Sequence, residues 1–77
     1  MNKARRKQLQ ALLDRFEELQ AELEGLQTEE EESRDNIPEN LWGSERYEKA
    51  EETCSYLEDA VGSLEEMVES LAAAIDA

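Results

Sequence analysis

The chain has no histidine, one cysteine, one proline and three glycines in 77 residues, and its only aromatics are one Trp, two Tyr and one Phe. Each shortage excludes something. One cysteine forms no internal disulfide, and without histidine there is neither a zinc spacing nor a base to activate Cys54 as a nucleophile. No glycine-rich loop is present to cradle a phosphate. No apolar run approaches the ~20 residues needed to cross a bilayer. The basic opening from Lys3 to Lys7 is not followed by the apolar segment of a signal peptide. A lone thiol without an export signal sets the expectation of a cytoplasmic protein. Positive charge is scarce as well: 8 Lys and Arg stand against 21 Asp and Glu, a net charge of −13. A surface of that sign is not expected to bind nucleic acid directly. The length allows one small domain.

Leu, Ile, Val and Phe make up only 15 of the 77 residues, a fraction that with this charge is typical of disordered chains. Their order argues otherwise. From Tyr47 the apolar residues fall at Ala50, Cys54, Leu57, Val61, Leu64, Val68, Leu71 and Ile75, with spacings that alternate between three and four. Leu9, Leu12, Phe16, Leu19, Leu23 and Leu26 repeat the same alternation earlier in the chain. That is a heptad pattern, and it predicts two long helices, 3–35 and 44–76. Between them, 36–43 contains the only Pro and the only Trp. Pro38 disfavours helix at Ile37, Gly43 is placed to stop a turn, and Ser44 suits an N-cap with Glu45 just inside. The fold class expected is all-α: an antiparallel two-helix coiled-coil hairpin in a single domain, dimerising into a four-helix bundle.

Antiparallel helices bring residue i opposite j with a nearly constant sum. A sum of 80 pairs Leu9 with Leu71, Leu12 with Val68, Phe16 with Leu64, Leu19 with Val61, Leu23 with Leu57 and Leu26 with Cys54, and it centres the turn at Asn40. In that register Gln20 meets Glu58 and Gln27 meets Glu51, and the basic Lys3, Arg5, Arg6 and Lys7 lie near Glu69 and Asp76. Cys54 then reads as a small buried hydrophobe. The run Glu29–Glu32 reads as a solvated face. No metal, cofactor or catalytic residues are expected, and the chain does not read as an enzyme.

A second stripe on the second helix carries no charge: Thr53, Tyr56, Ala60, Ser63, Met67, Ser70 and Ala74 also alternate by three and four. Its small residues permit close approach of another helix, so it is the candidate seam for a second copy or a partner. The first helix shows no equivalent, because Glu18, Glu24 and Glu31 interrupt its outer face. A two-helix core is marginal below about 80 residues and gains from oligomerisation. At the apex, Ile37, Pro38, Leu41, Trp42 and Arg46 either plug the end of the hairpin or form a contact for a partner, Trp being enriched at binding hot spots.

The apex segment Asn36-Ile37-Pro38-Glu39-Asn40-Leu41-Trp42-Gly43-Ser44-Glu45-Arg46 resembles the turn of small acidic helical-hairpin proteins of Firmicutes, phages and mobile elements. The resemblance implies a helical hairpin and brings no functional residues with it. Two functions suit these features. One is a non-enzymatic protein–protein interaction module that forms a homodimer and binds a partner protein. The alternative is an acidic nucleic-acid mimic that occupies a basic nucleic-acid-binding protein, such as a host nuclease or defence protein. In either case the 21 carboxylates repel one another across the folded chain. Raising the salt concentration from a few millimolar to 0.5 M should therefore raise the melting temperature followed by circular dichroism. A melting temperature that falls with salt would contradict this.

Overall fold

A computed structural model describes residues 1–77 as two helices joined at one end, with no strand. Helix α1 spans Lys3–Asp35 and helix α2 spans Glu45–Asp76, with a short 3-10 turn at Glu39–Leu41 between them. The helices start on side-chain caps. Asn2 Oδ1 accepts a hydrogen bond from the Arg5 N–H at 2.7 Å, relieving one of the unpaired donors of the first turn. Ser44 does the same for Tyr47 N–H at 3.3 Å, while its own hydroxyl donates to the Leu41 carbonyl at 2.6 Å and ties the cap to the turn before it. After α1 the backbone tightens: Ile37 N–H donates to the Arg34 carbonyl at 3.1 Å, and Pro38 takes up an extended conformation that cannot continue the helix. Gly43 has no positive φ, and a Cβ placed there would meet nothing within 4 Å. The 3-10 turn ends just before Gly43, but the backbone there does not require glycine; Pro38 and the Ser44 cap mark the helix boundaries.

The hairpin measures 59 × 15 × 13 Å. Its radius of gyration is 17.5 Å, where a compact chain of this length would have about 11 Å. The helices run antiparallel: Arg6 Nη2 donates to the Ala77 carbonyl at 3.4 Å at the open end. No helix is long and apolar enough to cross a membrane.

Helix α2 turns Tyr47, Ala50, Cys54, Leu57, Val61, Leu64, Val68, Leu71 and Ile75 toward α1, each of them buried or half-buried. Helix α1 is rotated from the expected phase. Leu9, Phe16 and Leu23 are half-buried, but the residues between them on the inner face are Leu13, Gln20 and Gln27. Leu13 is 5% exposed, whereas Leu12, Leu19 and Leu26 are 40%, 51% and 56% exposed. The pairings of Leu12 with Val68, Leu19 with Val61 and Leu26 with Cys54 are therefore corrected. Leu12 and Leu13 stand 100° apart on the helix, on either side of the Leu9–Phe16–Leu23 line, and a modest rotation exchanges one flanking row for the other. Toward the apex this rotation brings Glu31 and Arg34 half inward.

Polar pairing between the helices is also sparser than the register suggested. Gln20 Nε2 donates to Glu24 of its own helix at 3.2 Å and not to Glu58. The two ion pairs of the molecule are Arg34 with Asp35 and Lys49 with Glu45, both within one turn. The basic residues do lie beside the C-terminal end of α2, where Arg6 reaches Ala77 and Lys3 and Lys7 line a groove with Ile75, but none forms an ion pair with Glu69 or Asp76. The fold rests on the apolar seam, and the seam is thin. Five residues are buried, Leu13, Ile37, Cys54, Val61 and Ile75, and no side chain is fully enclosed. Leu13→Ala should lower the unfolding free energy by about 2–3 kcal/mol in urea titrations, the usual cost of a buried Leu→Ala change. A loss under about 0.5 kcal/mol would return Leu12 to the core.

Candidate functional site

The rotation of α1 builds a surface that neither helix has alone. Leu19, Leu23 and Leu26 of α1 and Leu64 of α2 line one open groove along the flank of the hairpin, with Glu22 at its edge. Around α2 from Leu64, residues three and four positions away are the next neighbours on the same side. On the flank away from Gln27 these are Ala60 and Met67, with Leu71, Thr53 and Ala74 seven to eleven residues from Leu64 on the same side. Met67 is half-buried; Ala60, Thr53 and Ala74 are exposed. Four of the seven stripe residues, Thr53, Ala60, Met67 and Ala74, therefore share a flank with the α1 leucines, with Glu22 and Glu29 beside Leu26 at its rim.

The other half of the stripe faces elsewhere. Tyr56, Ser63 and Ser70 turn to the outer side of α2, and Tyr56 is 67% exposed. Ser63 lines a different groove, on the opposite flank, with Gln27, Glu58, Gly62 and Glu65. That flank is polar and acidic. The seam read from the sequence is thus divided by the structure, and the missing part comes from α1. The expectation that α1 has no uncharged outer stripe is corrected: Glu18, Glu24 and Glu31 lie on other faces, leaving Leu12, Leu19 and Leu26 in an unbroken row seven residues apart. The signal was present in the sequence as the uncharged Gln20 and Gln27, which can take the inner places of the leucines without stranding a charge.

At the apex the five candidate residues do not act together. Ile37 is 5% exposed and closes the end of the seam, which fits the plug and not the partner contact for this residue. Trp42 holds it there: the indole Nε1–H donates to the Ile37 carbonyl at 3.0 Å. The indole also stacks on the Tyr47 ring at 5.5 Å between centroids and 20° between planes. An offset stack of this kind adds about 0.5–1.5 kcal/mol. Partial desolvation pushes the Tyr47 phenol above its ordinary value, and the nearby Glu51 carboxylate adds to the rise, so the ring stays neutral in the stack. Arg34, opposite, is held charged by its hydrogen bond to Asp35. Pro38, Leu41, Trp42 and Arg46 remain exposed, Leu41 at 43% and Trp42 at 46%.

No three His, Cys, Asp or Glu side chains converge where they could hold a metal ion. Cys54 is a free, buried thiol within the seam. Comparisons with protein-family models, with curated proteins and with solved structures found no match in any of the three. The apex geometry can be checked directly. Trp42→Phe keeps most of the stack and removes the hydrogen bond to Ile37, so it should cost about 1 kcal/mol in urea unfolding, with Trp42→Ala costing more. A Trp42→Phe variant as stable as the parent would show that the Nε1–H bond contributes nothing, and equal costs for the two variants would show that the stack contributes nothing.

Proposed function

We propose that the protein is a non-enzymatic protein–protein interaction module that self-associates through its uncharged flank into a four-helix bundle and presents its remaining, acidic surface to a protein partner. The observation that carries this reading is the continuous row of exposed leucines on α1 beside Ala60, Leu64 and Met67 on α2, in a chain where 38% of residues are charged. Leucines 40% to 56% exposed at seven-residue intervals are the arrangement of a helix that packs against another helix.

A second reading, the acidic mimic, is favoured by the distribution of carboxylates along the other faces of a rod 59 Å long. In that reading a basic nucleic-acid-binding protein is the partner and the hairpin acts as a monomer. One double variant separates the two. Ala60→Glu with Met67→Glu places two carboxylates on the uncharged flank, where burial against another chain would cost several kcal/mol, and leaves the seam between α1 and α2 intact. Multi-angle light scattering should find the parent chain as a dimer and the double variant as a monomer that remains helical by circular dichroism. A parent that is already monomeric at 100 μM, or a double variant that stays dimeric, would overturn self-association through this flank and advance the mimic.

A further inference from the structure

We propose that the second copy docks on the Leu12–Leu19–Leu26 face of α1 in the opposite direction, so that the two apices lie at opposite ends of the bundle and Leu19 sits on the two-fold axis. This rests on the self-association reading above and adds to it the occupant's orientation and register.

Three observations carry it. The first is area. The chain exposes 5862 Å². A compact monomer of this mass exposes about 4,800 Å², so the hairpin exposes about 1,000 Å² in excess. A standard interface covers about 800 Å² per partner. A second copy laid on one flank accounts for most of the excess.

The second is charge. The midpoints of α1 and α2 fall near Leu19 and Ala60, dividing the hairpin into an apex half, residues 20–60, and an open half. The apex half has 14 carboxylates and 3 cationic side chains, net −11; the open half has 7 and 5, net −2. Two copies with their apices together would set −11 beside −11. Two copies in opposite directions set each −11 beside −2, the less repulsive pairing at any ionic strength.

The third is symmetry. A two-fold axis makes an isologous contact, in which residue i meets j and j meets i. The exposed leucines are symmetric about Leu19: with Leu19 against its own copy, Leu12 meets Leu26 of the other chain, twice. The same register brings Arg15 to within one residue of Glu22 of the other chain. Arg15 makes no ion pair within its own hairpin, and Glu22 stands at the edge of the leucine groove.

The test places a spin label at Asn40→Cys, in the exposed apex turn, with Cys54→Ala to remove the native thiol. Pulsed electron–electron resonance should give a single label-to-label distance of about 50–60 Å, close to the 59 Å length of the hairpin. A dimer with apices together would give roughly 20 Å, about two helix spacings; that result overturns the orientation and leaves self-association standing. A chain that light scattering finds monomeric overturns both. Leu19→Glu should reduce the mass to that of one chain while circular dichroism stays helical, and a Leu19→Glu dimer overturns the face. With Cys54 intact, Arg15→Glu should weaken the dimer about tenfold and Arg15→Glu/Glu22→Arg should restore it. Failure of the double variant to recover overturns the register.

Discussion

Everything in this molecule depends on the fact that two helices can share only one seam. An α-helix in a globular domain usually buries a stripe on the order of 100° wide against several neighbours. In a hairpin each helix has a single neighbour, so one row of side chains is covered well and the rows beside it are covered partly. The burial pattern follows this rule. The five buried residues fall singly along the seam or at its apex, and the side chains flanking them are half-exposed. A core of this depth leaves little excess over the conformational entropy of ordering 77 residues. Which row of α1 occupies the seam therefore decides which apolar surface is left over.

The leftover surface is large because α1 carries two candidate rows that share the Leu9–Phe16–Leu23 line. One row is Leu12, Leu19 and Leu26; the other is Leu13, Gln20 and Gln27. Packing the leucines inward would serve the isolated hairpin better, since each fully buried leucine contributes about 1.5–3 kcal/mol. The helix instead faces α2 with the mixed row. Amides near the seam can stay hydrated or bond within their own helix, as Gln20 does to Glu24, so their placement costs little. Three leucines left half in water are a real loss unless something covers them. The arrangement makes physical sense as half of a larger core.

The hairpin was legible in the sequence where chemistry left only one choice. On α2 the positions outside the inner seam and the second stripe are almost all Glu, Asp, Ser, Ala or Gly, so only one apolar row could face inward, and that row does. Pro38 and Ser44 marked the break because each acts through its own backbone: one cannot continue a helix and the other caps its start. The phase of α1 was not legible to the same degree. Adjacent Leu12 and Leu13 make two heptad frames equally apolar at that turn, and the choice between them depends on interhelical packing that no count of spacings registers. The apex was legible only as two alternatives, a plug or a partner contact. Ile37 precedes a proline in a polar loop and gives no periodic signal, so its burial depends on Trp42 reaching back five residues to its carbonyl. Half of the candidate site was thus visible from α2 alone. The half on α1 required the rotation to be known.

Charge completes the argument for how such a chain could associate with itself at all. A net charge of −13 on each copy opposes contact, but the opposition depends on where the carboxylates lie. At physiological ionic strength exposed charges farther apart than about 8 Å are largely screened. The uncharged flank keeps its nearest carboxylates at the rim, Glu22 among them, where water and salt reach them. Repulsion therefore acts chiefly along the length of the rods and selects their relative direction more than it forbids contact. On the proposed arrangement each end of the bundle holds one acidic apex and one open end with its basic residues. The charge-free face is then consumed by the second copy, and what remains for any further partner is anionic along both sides and aromatic at both tips. A partner for that surface would have to be basic, so the module and the mimic differ less in whom they bind than in whether one hairpin or two is the binding unit.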